Sequence, residues 1–427
     1  MTPEGPGTQT GSVARRLLDK LGPGLVTGAS DDDPSGIATY SQVGAQFGYG
    51  LLWTILLSYP LMAAIQEISA RIGRVTGCGI AANLRKTCPK PLLYAVLAAM
   101  AGANVFNLGA DIGAMGTATE LLLPFKAGFF TIVFGAASLA SVLFIPYLKY
   151  TKYLKWLTLS LFAYVGVICF VHLQWRVVLL ATIFPQFHRS NDYVTAVVAV
   201  FGTTISPYLF FWQASQEVEE IQNNRGEKAL RRAPIQAQRH LKRIRIDTYL
   251  GMALSNIIAF FIILTAASSL HVQGITNVQT AAEAARALEP IAGRFASALF
   301  ACGIVGTGLL AVPVLAASAA YGVGEAGRWQ VSLQRTPAQA GRFYSAICVS
   351  TLIGLALNFL HINPIRALFW AAVLNGLAAA PLMTVIMIMA SSRKVMGKFV
   401  ISFCLKAVGW VGAGVMACIC LAMLLTS

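Results

Sequence analysis

The sequence predicts an all-α integral membrane protein with about eleven transmembrane helices, and three observations carry that expectation. Of its 427 residues, 56% are hydrophobic and only 11% charged, with a mean hydropathy of +0.67, a balance foreign to ordinary soluble domains. The apolar residues come in repeated runs near the ~20 residues a helix needs to cross a bilayer. The first and sixth runs are each interrupted by a proline set among polar residues.

The runs fall at 21–47, 50–72, 91–117, 127–148, 155–173, 193–217, 246–269, 292–321, 341–360, 364–390 and 399–425. Residues 1–20 are polar and Gly/Pro-rich up to Ala14 and show no apolar run with a small-residue cleavage site, so a flexible tail and no signal peptide are expected. Residues 21–425 read as one transmembrane domain. Spans one to five (21–173) and six to ten (193–390) form two repeats, and 399–425 is an extra helix. An odd number of spans per repeat inverts the second copy. The Ala-rich run 280–288 is expected to form a short surface helix.

Orientation follows from basic residues in short loops. With the N-terminus cytoplasmic, the inner loops and span ends hold 25 Lys and Arg and the outer ones six; Lys406 alone falls away from the ends of a span. The C-terminus is then outside, and the setting is a plasma (inner) membrane. The formal net charge of +15 is therefore topological, and no nucleic-acid partner is implied. The basic loop 219–245 reads as a positive-inside loop rather than an anionic-lipid patch. Eight cysteines lie mostly within apolar runs, without Cys/His zinc spacing, and no cofactor is expected. No nucleophile-plus-base pair, HExxH or nucleotide loop suggests an enzyme.

The first break is Asp31-Asp32-Asp33-Pro34-Ser35-Gly36. A carboxylate at bilayer depth is costly and marks a functional site, and broken backbone at that depth is tolerated only where it lines a cavity. The sixth run contains Phe201-Gly-Thr-Thr-Ile-Ser-Pro-Tyr-Leu-Phe210. Proline clashes with the carbonyl four residues earlier, which frees Ser30 O at Pro34 and Thr203 O at Pro207. Paired breaks at corresponding positions point to a cation site near the midplane.

Asp33 adjoins its break and is the main charged ligand expected. Asp31 and Asp32 lie ~200° and ~100° away around a helix, so the three cannot face one ion, and these two take outer roles. The sixth span contributes Thr203 and Ser206, with Gly36 and Tyr208 completing the breaks. Gln213 and Glu217, four apart, share one helix face and are expected at one end of a pathway. Asn375 in span ten is a further path-lining candidate. The ligand set is all oxygen, which suits hard cations such as Mg²⁺, Ca²⁺ and Mn²⁺. One carboxylate with few neutral oxygens suits partly hydrated Mg²⁺.

These motifs resemble the NRAMP superfamily of divalent-metal transporters. The resemblance is carried by Gly22-Pro-Gly, Asp33-Pro-Ser-Gly-Ile-Ala-Thr39, Gly44-Ala-Gln-Phe-Gly-Tyr-Gly50 and Gln66-Glu-Ile-Ser-Ala-Arg-Ile-Gly73 with Thr76-Gly77. It implies a LeuT-type fold of two inverted five-helix repeats, with helices 1 and 6 broken, and makes 21–425 a transport domain. The departures are specific. Ser35 and Gly36 replace the Gly and Asn of the family's Asp-Pro-Gly-Asn. Ser206-Pro207-Tyr208 stands for Met-Pro-His, without the sulfur that helps typical members prefer transition metals. Thr203 aligns with the family's carbonyl-donating alanine, and Gln213 with a later histidine. On the third helix, Asn107, Ala110 and Asp111 lie near the carboxylates that typical members use for proton movement.

With no histidine in either broken helix, the usual titratable relay is missing. The pattern is similar to the NRAMP-related branch that carries Mg²⁺ and Mn²⁺ without proton coupling, and implies a carrier of Mg²⁺ that accepts Mn²⁺; separately, a monomer is the expectation, though the sequence does not fix the oligomeric state. The alternatives are a proton-coupled Mn²⁺ or transition-metal transporter, and a cation-coupled symporter of a small organic solute.

Overall fold

The computed structural model describes residues 27–28, 30–145, 160–167, 170–171, 173–187, 190–224, 226–360 and 362–426. The expected tail 1–20, the start of span one (21–26) and the start of span five (155–159) lie outside the described residues.

Span one is in two pieces. Residues 27, 28, 30 and 31 are helical, Asp32 is a bend, and helix α1 (Pro34–Phe47) follows. Three residues set the start of α1. Asp33 is extended (φ −72°, ψ 170°), its side chain accepts the Gly36 N–H, and Pro34 occupies the first helical position, where a missing N–H costs nothing. Gly48 ends the helix at φ 57°. Helix α2 (Leu52–Thr76) closes on left-handed Gly77, and α3 (Ile80–Thr87) leads into the 31-residue α4 (Lys90–Glu120). Helix α5 (Ala127–Phe144) follows. The described part of span five is α6 (Phe162–Val167), and α7 (Trp175–Ile183) comes after it.

Span six repeats the design of span one. Helix α8 (Asn191–Thr204), capped by the Ser190 side chain, stops at extended Ser206, and α9 (Pro207–Asn223) restarts with proline first. Helix α10 (Ala237–Ala266) runs into a π turn at Ala267–His271. The Ala-rich run forms α11 (Ala281–Ala285), opened by a Thr280–Glu283 capping box. Its Ala281, Ala284 and Ala285 are buried, so it packs into the bundle instead of lying on the surface. Helices α12 (Ala296–Ala326), α13 (Gly341–Leu357), α14 (Pro364–Ser391) and α15 (Phe403–Thr426) complete the chain.

Among the described residues, eight helical stretches are long and apolar enough to cross a membrane. The other three of the eleven expected spans differ for identifiable reasons. Span one is divided, α2 is diluted by Gln66, Glu67, Arg71 and Arg74, and span five is described only in part. The α8–α9 pair lies deepest, with 89% of its apolar window buried, against 28% for α5 and for α13. The divided helix thus sits at the centre of the bundle and the intact apolar helices at its rim, where Phe129, Ile132, Val349 and Leu352 are exposed.

Glycines let the divided helices approach their neighbours. A Cβ on Gly202 would lie 2.0 Å from Ala372 O, so α8 rests directly on the α14 backbone. A Cβ on Gly28 would lie 2.3 Å from Gly251 O. That contact brings the first half of span one onto α10, so that residues one turn further along each helix meet. Gly202→Val is expected to force α8 off α14 and to lower stability by at least about 1–3 kcal/mol. Thermal unfolding of the detergent-solubilised protein reads this; an unchanged midpoint would show that the two helices separate freely.

Candidate functional site

The Asp33 carboxylate is held from three sides. Its Oδ1 accepts the Gly36 N–H at 2.8 Å and the Ser35 hydroxyl at 2.7 Å, while Oδ2 accepts Asn107 Nδ2 at 2.9 Å. Ser35 therefore does more than replace a glycine, because its hydroxyl holds the carboxylate over the helix N-terminus, where negative charge is favoured. Asn107 belongs to α4, and Asp111 lies one turn further along the same face. Asp111 is fully buried, and neither of its oxygens has a hydrogen-bond partner. Among the described residues, no Lys, Arg or His pairs with Asp31, Asp32, Asp33 or Asp111.

The second break faces the first. A Cβ on Gly36 would lie 3.2 Å from Thr203 Oγ1, so the absence of a side chain at Gly36 lets the two breaks meet. That hydroxyl is buried without a hydrogen-bond partner. The carbonyls freed by the prolines are both engaged. Thr203 O accepts the Ser206 hydroxyl at 2.7 Å, so two expected ligands bond to each other across the break. Ser30 O accepts the Tyr208 hydroxyl at 2.7 Å, and Thr27 Oγ1 bonds Gln213 Oε1. Tyr208 and Gln213 thus tie α9 to the first half of span one.

Asp31 and Asp32 point away from Asp33. Asp31 Oδ2 and Asp32 Oδ1 lie 2.8 and 3.0 Å from the Ser255 hydroxyl of α10. That hydroxyl has one hydrogen for two acceptors, and Asp31 Oδ1 has no partner. Among the described residues, no three His, Cys, Asp or Glu side chains converge on one metal position. Asn375 is fully buried on α14 with both amide atoms unpartnered, beside Gly376, which packs against Gly202.

Glu217 belongs to a different group. Its Oε2 pairs with Arg243 at 2.6 Å and lies 3.9 Å from Arg74. Arg74 is fully buried and also bonds Glu227, while Glu220 lies 2.8 Å from Arg243. This cluster fastens α2, α9 and α10 together, so Glu217 anchors helices where a pathway role is expected from its spacing. At the other end of α1, a cavity of about 310 Å³ is lined by Ala38, Gln42, Asp192, Thr195 and Arg366, among others. Ala38 is one turn from Pro34, so the cavity reaches toward the breaks.

Ser255, Arg74 and Arg243 carry no motif, and sequence reasoning missed their roles. Ser255 is one hydroxyl in an apolar run, and the two arginines read as ordinary cytoplasmic charges. The one available signal was the basic character of Arg74 so close to the apolar run of α2.

Solved structures share this fold. The Eremococcus coleocola manganese transporter, in complex with an aromatic bis-isothiourea compound, superposes with a TM-score of 0.73 over 99% of this chain and 88% of that one, at 16% identity. Mhp1, a nucleobase-cation-symport-1 family transporter, does so at 0.59 over 95% and 92%, at 14% identity. The fold is therefore the LeuT type, a helical bundle with two facing helix breaks. A sequence model of the natural resistance-associated macrophage protein-like (Nramp) family matches residues 24–426, and the chain belongs to that family. Two relatives carry the name divalent metal cation transporter MntH. The one from Acidiphilium cryptum is 27% identical over 404 residues, 90% of this chain and 84% of its own. The one from Verminephrobacter eiseniae is 28% identical over 316 residues, 69% of this chain and 66% of its own.

The Arg74 cluster sets a pH dependence. Burial acts to raise the Glu227 carboxyl, but the hydrogen bond and charge of Arg74 outweigh it and hold the group below its ordinary value. A lowered carboxylate contributes stability in full above its unfolded pKa and loses it as pH falls through the folded value. Glu227→Gln is therefore expected to lower the unfolding temperature at pH 7, with the gap to wild type closing as pH falls through the carboxylate range. A gap constant with pH would overturn the assignment.

Proposed function

We propose that the chain transports hard divalent metal cations, Mg²⁺ foremost with Mn²⁺ accepted, and does so without moving protons. The observation that carries this reading is the donor chemistry of the paired breaks. Asp33, Ser35, Thr203 and Ser206 offer only oxygen, and neither break contains Met, Cys or His. Oxygen donors favour Mg²⁺, Ca²⁺ and Mn²⁺ over softer metals. Ser206, where a sulfur ligand would select transition metals, removes that preference. The names of the relatives support a divalent cation as the cargo.

Asp33 Oδ2 has one lone pair left after Asn107 and supplies charge to the cation. Thr203 Oγ1, beside Gly36, and Ser206 Oγ, once turned from Thr203 O, replace part of the hydration shell, and retained water fills the remainder. The cavity at Ala38 and Gln42 gives access from one end. Spans one, two, six and seven rock against the others to expose the site alternately, and the Arg74 cluster keeps three of these spans together. In this reading residues 21–173 and 193–390 are the inverted repeats, 399–425 is the extra helix, the N-terminus is cytoplasmic and the C-terminus lies outside the plasma membrane.

A proton-coupled Mn²⁺ carrier is the second reading. It is favoured by the manganese transporter among the similar structures and by the buried Asp31–Ser255–Asp32 group, which could hold a proton. Proteoliposome uptake with an internal pH probe separates the two. Proton independence predicts no acidification as metal enters; a metal-driven proton flux abolished by Asp32→Asn would establish the second reading.

Asp33→Ala is expected to abolish Mg²⁺ and Mn²⁺ uptake, and wild-type flux in that variant would sink the site assignment. Ser206→Met is expected to move metal competition toward Mn²⁺ and Cd²⁺. An unchanged competition profile would mean that residue 206 does not face the ion.

A further inference from the structure

We infer that Asp111 binds the transported cation directly. The cation then sits between α4 and the first break, held by the Asp111 carboxylate, the Asn107 carbonyl oxygen and the free lone pair of Asp33 Oδ2. This inference rests on the cation-transport reading above and adds α4 to the two broken helices as a source of ligands.

Counting lone pairs leads to Asp111. A carboxylate offers about four acceptor positions. Three of those on Asp33 are taken, two by Ser35 and Gly36 on Oδ1 and one by Asn107 on Oδ2. On Asp111 neither oxygen makes a full hydrogen bond, and only the Ser35 backbone N–H acts on it, although the residue is fully buried. The aspartate with the sequence motif is thus the more saturated of the two, and the one without a motif is the more available.

Asn107 links them. Its Nδ2 donates to Asp33, and the reverse amide orientation would set oxygen against oxygen, so its Oδ1 must point elsewhere. That oxygen is buried and unpartnered. Asp111 follows one turn along the same face, and the charge of Asp33 acts on it. Two carboxylates and an amide oxygen therefore surround one region with no basic side chain among the described residues to balance them. A divalent cation with its remaining waters satisfies both carboxylates and the amide oxygen at once, and two carboxylates are a number Mg²⁺ commonly takes.

The test is metal binding to the full-length protein in detergent, titrated calorimetrically with Mg²⁺ and with Mn²⁺ at fixed pH. Asp111→Asn, which relieves an uncompensated charge and should fold, is expected to weaken both metals on the order of 10–100-fold. Asp111→Glu is expected to keep measurable binding. Wild-type affinity in Asp111→Asn, with wild type itself binding, overturns this inference and leaves the transport reading standing. Absence of divalent-cation binding in wild type overturns both. Anomalous diffraction from Mn²⁺-soaked wild-type crystals gives a readout free of any variant. A peak within about 2.5 Å of an Asp111 oxygen supports direct ligation, and a peak confined to Asp33 and span six overturns it.

Discussion

An aspartate followed by a proline leaves a helix start at bilayer depth, and the N–H groups exposed there must be satisfied from within the protein. Asp33 does this for α1 by accepting the Gly36 N–H, and the same carboxylate reaches α4 through Asn107. One side chain therefore terminates a backbone, fixes the angle at which span one restarts and aligns a neighbouring helix. The facing of the two breaks and the separation of Asp31 and Asp32 toward α10 both follow from where α1 begins. A carboxylate so placed cannot be replaced by a neutral oxygen without losing the helix cap and the contact with α4 together.

The electrostatic layout has a matching logic. Four buried aspartates lie at the centre without a basic partner among the described residues, whereas Glu217, Glu220 and Glu227 meet Arg74 and Arg243 at one end of α2, α9 and α10. Ion pairs thus build the frame, and the acids at the centre are left without a charge partner among the described residues. A buried arginine inside the acidic centre would neutralise it permanently and leave a cation nothing to bind.

Much of the fold was legible in the sequence because membrane insertion is itself a matter of composition. Long apolar runs must be helices, and a proline beside carboxylates must interrupt one. The divisions at Pro34 and Pro207 fell where the chain marks them. Hydropathy was least informative for α2, where Gln66 and Arg74 bond to other segments and Glu67 and Arg71 pair along the helix itself. At the site, the motif residues could be named but not their occupancy. Nothing in the order of residues says that Ser206 turns back onto Thr203, that Tyr208 takes the Ser30 carbonyl, or that Ser255 stands between two aspartates. Those are contacts between distant segments, and a single hydroxyl in an apolar run has no periodicity to betray it. Asp111 was noticed only for lying near a region of the resemblance; its open lone pairs became visible when its surroundings did.

The bonds from Tyr208 to Ser30 O and from Thr27 to Gln213 have a consequence for how cargo leaves. They act as a pair of stitches between the first half of span one and the start of α9. While both hold, the Ser30 carbonyl and the Gln213 amide oxygen are spent on protein donors. A tilt of that half-helix away from α9 would undo both stitches in one movement and bare two neutral oxygens beside the vacated break. Opening the way out and supplying the departing ion with uncharged stepping-stones would then be the same event, and the carboxylates behind it would lose their hold by distance alone.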